Sequence, residues 1–552
     1  MRPRPPFALL LVLMLAVGGC GFSGSGDAAG RKVLRMNNMA EPVHLDPAMQ
    51  TVVEDQRLSL ALFEGLLSYD PETLKPREGV ATTFETSPDK RTWTFRLRET
   101  TFSNGVPLTA DDFVYSWRRV LSPPSDRPTR RWSGSRTAIV ADYAPNFFAI
   151  VGARDYYEGK TDDWTTVGIA APDPSTLVVR LIQPTPWFAE LLCSPTFAPV
   201  ERRTVETHGR AWTRPENFVG NGPFMLAERR IGDSLRVVKN PRYWDAARVE
   251  LDAIVYYSTD QIDTALDQYL AGETDWVRTF NPKKVRAWRA DPVLSEALRA
   301  PPYLGTYFYR FNVTKRPLDD GRVRRALALA VDRAAICEHL CGLGEEPAVG
   351  MIPPCLGAVV PWTPIGASGL AYDPDRARSE LAAAGYPGGA GLPTIELAYN
   401  SDIRNKAIAE AVQSMWKKEL GVQAELMNRD KRVHVAEERA LRYQASRGSW
   451  IGDFNDPYTF LEFMVSSRPN NRTGWRNAEY DRLVEESVRD ADEAERLRKL
   501  ARAERILMVE DAPIMGLFHF RSVMVLRPRA FDGIFDNTRD LHPPKYIRLR
   551  KP

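Results

Sequence analysis

Three side chains that could hold a charged ligand fall within seven residues of this 552-residue chain, at Arg447, Trp450 and Asp453. A carboxylate accepts charged hydrogen bonds from an ammonium group, and a guanidinium can bind a carboxylate through two parallel hydrogen bonds. The indole between them supplies a flat apolar wall. An Asn-Asp-Pro sequence follows and predicts a turn. The stretch could bind a zwitterion, although the same residues could form an incidental ion pair on a surface loop.

The sequence patterns of hydrolytic chemistry are missing. We find no G-x-S-x-G, no H-E-x-x-H and no phosphate-binding loop. Asp453 and Asp456 could be taken as a carboxylate pair, but catalysis requires a nucleophile beside a base or two poised carboxylates. We therefore predict a binding protein, not an enzyme, with no cofactor. An exported hydrolase is the alternative class, and cleavage of a peptide pool would reveal it.

Alternating strands and amphipathic helices must position these residues. Tyr307, Tyr309 and Phe311 alternate with other residues and predict a strand. Thr109, followed by acidic residues, predicts a helix N-terminus. Further strands are predicted around residues 92–98, 177–181, 235–238 and 251–257, and further helices over 322–335, 373–385, 403–420 and 490–511. Strands and helices mix without a long parallel βαβ series, which predicts an α/β fold with mixed sheets.

The N-terminus has the pattern of an export signal. Arg2 and Arg4 precede an apolar run over residues 7–17, which is too short to span a membrane comfortably. Two glycines then precede Cys20, so residues 1–19 are predicted to be a signal peptide and Cys20 to carry lipid. Residues 20–32 would form a flexible tether. The alternative is an ordinary secretory peptide with a chance cysteine.

Charge and cysteine content limit the partners and the redox chemistry. Lys and Arg number 74 against 71 Asp and Glu, and no basic stretch indicates nucleic acid binding. Export allows disulfides, and we predict that Cys355 pairs with Cys337 or Cys341, leaving Cys193 as a buried free thiol. A metal site at residues 337–341 is disfavoured, because His339 would point away from the two cysteines on a helix and a closed zinc site needs four ligands.

The stretch from Arg447 to Pro457 resembles the ligand-binding segment of the oligopeptide-binding proteins of bacterial ABC importers. Other blocks of that family follow in its order over nearly the whole chain from residue 33, at residues 41–47, 63–67, 93–98, 109–117, 221–224, 240–244, 322–327 and 384–386. The resemblance implies a two-lobed α/β fold of the periplasmic-binding-protein type (type II, cluster C), with mixed sheets, a hinge and an inserted domain. The implied units are a first lobe (33–53, 187–304 and 521–552), an inserted domain (54–186) and a further lobe (305–520).

The resemblance also implies roles for single residues. Asp453 matches an aspartate that holds the N-terminal ammonium of a bound peptide, and Arg447 matches an arginine near its C-terminal carboxylate. Arg404 replaces a histidine at the far end of the ligand, which should favour a carboxylate because arginine is permanently charged. Glu41 matches a polar residue beside the peptide backbone, and Tyr115 matches a tyrosine of the cleft.

Specificity in such a site would come from backbone pairing and roomy pockets. We expect Val43, Ser449 and Ile451 to pair with the backbone of an extended ligand as an added strand. Lys431 stands where the family has a tryptophan in a side-chain pocket. It could shift the preference towards acidic ligands, or it could be a solvated lysine.

The function implied is that of an exported, lipid-anchored lipoprotein of the cell envelope or periplasm. It would be a monomer that captures peptides and delivers them to ABC permease subunits, with membrane attachment through Cys20. The alternative within the same fold is a receptor for a murein peptide, a nickel chelate or a sugar. The scattered histidines disfavour direct metal ligation.

Overall fold

The computed structural model describes residues 31–50, 52–122, 139, 141–365, 369–490 and 492–550. The predicted signal peptide, Cys20 and most of the predicted tether lie outside the described residues. Within them, no helix combines the length and the apolar character needed to cross a bilayer.

Most strands of the described chain are short, and the two longest lie near its middle and near its C-terminus. They are β1 Val33–Asn37, β2 Leu67–Tyr69, β3 Pro76–Glu78, β4 Ala81–Thr86, β5 Thr92–Leu97, β6 Ile169–Asp173, β7 Thr176–Arg180, β8 Phe224–Arg230, β9 Ser234–Lys239, β10 Ala253–Tyr257, β11 Trp276–Val277, β12 Leu298–Arg299, β13 Pro302–Phe311, β14 Glu346–Pro347, β15 Ile395–Asn400, β16 Ala424–Arg429, β17 Ala445–Ile451, β18 Ile514–Arg521, β19 Met524–Leu526, β20 Phe531–Asp532 and β21 Arg548–Leu549.

The helices are interspersed among these strands. They are α1 Val53–Leu62, α2 Ala110–Leu121, α3 Ala153–Glu158, α4 Phe188–Leu191, α5 Arg202–His208, α6 Ile262–Leu270, α7 Val285–Ala290, α8 Pro292–Ala297, α9 Gly321–Leu329, α10 Arg333–Ile336, α11 Pro374–Ala383, α12 Ile403–Leu420, α13 Lys431–Arg439, α14 Tyr458–Leu461, α15 Ala478–Ser487 and α16 Glu493–Arg505. Thr109 caps α2 through a reciprocal pair of hydrogen bonds with Asp112, as its sequence position predicts.

Three larger sheets organise the described chain. The first has the spatial order β12-β19-β11-β1-β10-β9-β8, the second β4-β5-β7-β6 and the third β14-β18-β13-β17-β15-β16. In the first, β1 runs parallel to β10 while β9 runs antiparallel to it. In the third, β13 is antiparallel to both neighbours, whereas β15 is parallel to β16 and β17. The predicted α/β fold with mixed sheets is confirmed.

The third sheet is covered on both faces. Along β13, Tyr307 and Tyr309 enter one apolar core, and Leu304 and Phe308 enter another. This alternation follows from the two-residue period of a strand. It also explains why nearly every residue of β13 is buried.

Two predicted helices have different bounds in the structure. The helix expected over residues 322–335 is interrupted, because Asp332 leaves the helical conformation and caps α10 by accepting a hydrogen bond from the Ala335 N–H. The helix expected over 490–511 begins at Glu493 and ends in a π-helical turn, Ile506–Glu510. A side-chain cap and a change of helical pitch are both invisible to apolar periodicity.

The predicted disulfide is not formed. Cys193, Cys337, Cys341 and Cys355 are all free thiols, and Cys193 is buried as predicted. Cys337 and Cys341 belong to the core on one face of the third sheet, while Cys355 packs against the core on the other face. The sheet therefore separates the thiols that the sequence suggested might pair.

Candidate functional site

A cavity of about 490 Å³ lies against the third sheet. Its floor is formed by β17 and β13, and its walls by the start of α12 and one side of α13. Among its lining residues are several predicted site residues, namely Arg404, Lys431, Arg447, Ser449 and Trp450. The fold thus brings together residues that are up to 46 positions apart in the sequence.

Arg447 reaches the cavity from β17, opposite Tyr309 of β13. Its guanidinium carbon lies 4.5 Å from the centre of the Tyr307 ring. One of its nitrogens lies 3.5 Å from Asn400 Oδ1. In the described part of the chain, no carboxylate lies within salt-bridge distance of Arg447. Its charge is available to a ligand.

Arg404 lies in the first turn of α12 and is differently placed. Its Nη2 donates to Glu345 Oε1 at 2.6 Å, and the Glu345 side chain is only 1% exposed. The guanidinium also lies 5.0 Å from the centre of the Phe518 ring. The structure thus gives Arg404 a carboxylate partner of its own, which sequence reasoning had not found.

Trp450 forms a flat wall of the cavity. Its ring stacks on Phe463 with centroids 4.4 Å apart and an interplanar angle of 15°. The indole Nε1 is buried and has no hydrogen-bond partner among the described residues. Phe463 belongs to the core on the face of the third sheet opposite Tyr307, the ring beside Arg447, so the role of Trp450 as an apolar wall between the two charged groups stays a prediction.

The second half of β17 has a free edge. β17 pairs with β15 only at Ala445 and Ser446. The Gly452 N–H donates to Leu304 at 2.8 Å on the β13 side, whereas the Arg447 carbonyl lies 2.9 Å from His434 Nε2 on the other side. Backbone groups alternate along a strand, so those of Ser449 and Ile451 face away from β13. This edge could accept an added strand, as the sequence analysis expected.

The turn after β17 is held rigidly by its neighbours. Phe454 stacks on Trp187 with centroids 4.9 Å apart. The Asn455 N–H donates to Glu190 at 2.9 Å, and Asp456 accepts two hydrogen bonds from Arg496 at 3.0 and 2.8 Å. Asp456 is thus committed to holding the turn.

Asp453 stands free within this fixed turn. Its N–H donates to Thr459 Oγ1 at 3.2 Å. Its carboxylate has no hydrogen bond or ion pair among the described residues. Solvent reaches the side chain, yet the surrounding protein desolvates it and raises its pKa, an effect that Arg539 partly offsets. Asp453 is not among the residues that line the cavity, and its exposed, unpaired carboxylate is suited to a cation that enters with the ligand.

Glu41 and Val43 lie near the first sheet, and their polar groups are already engaged. Glu41 accepts from Arg229 at 2.7 Å and from the Gly232 N–H at 3.2 Å. The Val43 N–H donates to Asp55 at 2.8 Å, although the residue is 59% exposed. Any pairing by Val43 with a ligand would have to use its carbonyl oxygen.

Tyr115 does not line the cavity. It projects from α2 towards the core beneath the first sheet, and the Arg202 guanidinium lies 5.4 Å from its ring centre. Burial raises the pKa of its hydroxyl to about 12, and that hydroxyl has no hydrogen-bond partner among the described residues.

Sequence reasoning missed a buried polar network at the cavity wall. Glu438 accepts from Arg310 at 2.9 Å, from Arg472 at 3.1 Å and from Ser446 at 3.0 Å. These four residues come from two strands, one helix and one loop, so no short motif contains them. The one visible signal is Arg310, a charge within the apolar strand β13.

The chain has extensive similarity to known binding proteins. Residues 75–472 match the family model described as bacterial extracellular solute-binding proteins, family 5. The chain is 35% identical to the periplasmic murein peptide-binding protein MppA of Escherichia coli, with 88% of each chain covered. It is 32% identical to the oligopeptide-binding protein OppA of Bacillus subtilis, with 94% of each covered. The solved structure of the E. coli murein tripeptide binding protein MppA superposes with a TM-score of 0.77 at 32% identity, covering 95% of this chain and 99% of that one.

Proposed function

This chain belongs to the bacterial extracellular solute-binding proteins of family 5, and on that premise we propose that it captures peptides in the cleft beside β17 and delivers them to an ABC transporter permease. It is a substrate-binding protein and not an enzyme. The relatives named as peptide-binding proteins support the ligand class, and the two-lobed fold supports capture by closure.

The placement of Arg447 and Asp453 carries the proposal. They flank the free edge of β17, and neither has an oppositely charged partner within salt-bridge distance among the described residues. From Arg447 to Ile451 the strand spans ~13 Å, which is close to the length of an extended peptide of about four residues, and Asp453 lies two residues beyond that end. A peptide laid along this edge would place its two charged ends near opposite charges.

We further propose the division into a first lobe (33–53, 187–304, 521–552), an inserted domain (54–186) and a further lobe (305–520). Each of the three larger sheets draws its strands almost entirely from one of these units. The chain passes between the first and third sheets twice, between β12 and β13 and between β18 and β19. The Ser522 N–H donates to Pro301 at 3.1 Å, so the two crossings are joined where a hinge would lie.

The membrane attachment is part of the same proposal. The sequence pattern around Cys20 supports a lipid anchor in the cell envelope. A flexible tether over residues 20–32 would leave the cleft free to turn towards a permease.

A murein peptide is the second candidate ligand. Its support is the similarity to MppA, whose name states that ligand class. Such a ligand would use the same cavity and the same two charged residues, Arg447 and Asp453.

Mass spectrometry of ligands that co-purify with the protein would test the proposal, followed by calorimetry with synthetic peptides after the bound ligand is removed. We expect peptides of a few residues with free termini. Recovery of a sugar or a metal chelate, together with no heat on addition of any peptide, would contradict peptide capture.

A further inference from the structure

We propose that the cavity selects peptides with an acidic side chain, whose carboxylate is bound by Lys431 in addition to the C-terminal carboxylate bound by Arg447. This inference rests on the proposed peptide-binding function and adds a substrate class to it.

The cavity wall carries more positive than negative charge. Five cationic residues line it, namely Arg310, Arg404, Lys431, Arg447 and Arg472. Two carboxylates line it as well, Asp402 and Glu438, and Glu345 adds a third beside Arg404. Two positive charges are therefore left uncompensated among the described residues. An uncompensated positive wall attracts anionic ligands.

The carboxylates present are committed to other cations or to backbone. Glu438 is shared by Arg310 and Arg472, at 2.9 and 3.1 Å. Asp402 caps α12 by accepting from the Asn405 N–H at 3.0 Å. Glu345 is paired with Arg404, so in the described chain Arg447 and Lys431 are the lining cations without a carboxylate partner. A peptide has one C-terminal carboxylate, and Arg447 and Lys431 together could hold two.

Several arginines of the wall and its tryptophan also keep a buried donor nitrogen without a hydrogen-bond partner among the described residues. Buried donor nitrogens without a partner among the described residues are Nε of Arg310, Arg404, Arg447 and Arg472 and Nε1 of Trp450. A buried unpaired donor is costly, and a carboxylate offers about four lone-pair sites. These nitrogens are themselves shielded from solvent, so they act on a ligand through their positive charge, which favours an acidic side chain over a neutral amide or a hydrocarbon chain.

Backbone charge works in the same direction. The 18-residue helix α12 begins at the cavity, and Ser401, Asp402 and Arg404 from its start line the wall. A helix N-terminus carries partial positive charge. A basic ligand side chain would meet repulsion from the lining cations and from the part of the helix charge that the Asp402 carboxylate leaves uncompensated.

The test uses tripeptides with free termini in three series, one for each peptide position. Within a series, that position carries Glu, Gln or Lys. Isothermal titration of the full chain should give affinities about 10- to 100-fold higher for a Glu peptide than for its Gln counterpart, and weaker still for Lys. The Glu-to-Gln affinity ratio should appear at one peptide position and should fall as salt is raised.

The variant Lys431→Gln assigns the preference to a residue. It should reduce the Glu-to-Gln affinity ratio to about one. Because the Lys431 side chain is exposed, the substitution should leave folding unchanged. Lys417→Gln, an exposed lysine at the far end of α12, is the matched control and should preserve the ratio. Equal affinities for Glu, Gln and Lys peptides would overturn the acidic preference while leaving peptide capture intact. A preference that survives Lys431→Gln would overturn the role of Lys431, and failure of every peptide to bind would instead contradict the proposed function.

Discussion

Arg404 and Glu345 form an ion pair at 2.6 Å, and the carboxylate of that pair is almost fully shielded from solvent. Arg404 thus differs from Arg447, which has no carboxylate partner among the described residues. Sequence reasoning assigned both arginines to the ligand carboxylate. The structure distinguishes their roles, because Arg404 already has a carboxylate partner and Arg447 does not.

Arg447→Met and Arg404→Met should therefore have different effects. Loss of Arg447 should weaken binding of a free-acid peptide by about 2–5 kcal/mol with little change in protein stability. Loss of Arg404 leaves Glu345 buried without its cation. It should lower the free energy of unfolding by up to about 3 kcal/mol, below the full range for buried pairs because Arg404 is partly exposed. Calorimetry and urea unfolding on both variants would measure the two effects, and identical losses of affinity with unchanged stability would contradict the distinction.

Asp453→Asn tests the proposed binding of the peptide's N-terminal ammonium group. The substitution keeps the shape and removes the charge, so affinity for a peptide with a free N-terminus should fall by ~2–5 kcal/mol. That corresponds to about one and a half to three and a half decades in Kd. Tryptophan fluorescence or calorimetry would measure it. An N-acetylated peptide is the control: it should bind the native protein poorly and lose much less in the variant. Equal binding of free and acetylated peptides to the native protein would remove Asp453 from the site.

The lipid anchor predicts a change in fractionation. Cys20→Ser removes the thiol that would carry lipid, so the protein should move from the membrane fraction to the soluble envelope fraction. Immunoblots of the separated fractions would measure this, with Cys193→Ser as a control that keeps Cys20. Retention of Cys20→Ser in the membrane would mean that residues 7–17 themselves hold the protein there.

Elements with a strong local pattern were predictable from the sequence. The cap at Thr109 and the bounds of α12 at Ile403–Leu420 were both expected, because a cap or an apolar helix face is determined by residues close together in the sequence. Gly305 and Ile451 lie directly opposite each other across β13 and β17. A Cβ at Gly305 would clash with Ile451 Cδ1, because the isoleucine side chain fills the space beside the glycine.

Long-range polar pairs were not predictable in the same way. Glu345 and Arg404 are 59 residues apart, and Arg310 and Glu438 are 128 apart. Nothing local marks a glutamate that will be buried beside an arginine from another element. For the same reason the disulfide prediction was wrong: sequence proximity placed Cys355 near Cys337 and Cys341, and the third sheet lies between them.

Glu504 of α16 provides a stability test remote from the ligand cavity. Its side chain is buried, and Oε1 accepts from the Met351 and Ile352 N–H groups at 2.8 and 3.0 Å. Burial raises its pKa from 4.5 to about 7. Between these values the folded protein holds a proton that the unfolded chain releases. The free energy of unfolding should therefore fall as pH rises through this window, by about 3 kcal/mol from this group, and stay level above it.

Glu504→Gln should remove that slope. Both backbone hydrogen bonds end on one oxygen, which an amide retains, so the variant should match the native protein near pH 4.5 and exceed it in stability by about 3 kcal/mol at pH 8. Urea unfolding across the pH range, taken as the difference between native and variant proteins, isolates this group from every other titration. Glu493→Gln, at the exposed start of the same helix, is the matched control and should change stability by less than about 0.5 kcal/mol. Native and Glu504→Gln curves that run parallel from pH 4.5 to 8 would show that Glu504 is ionised in the folded protein throughout, and that the two N–H groups compensate for its burial.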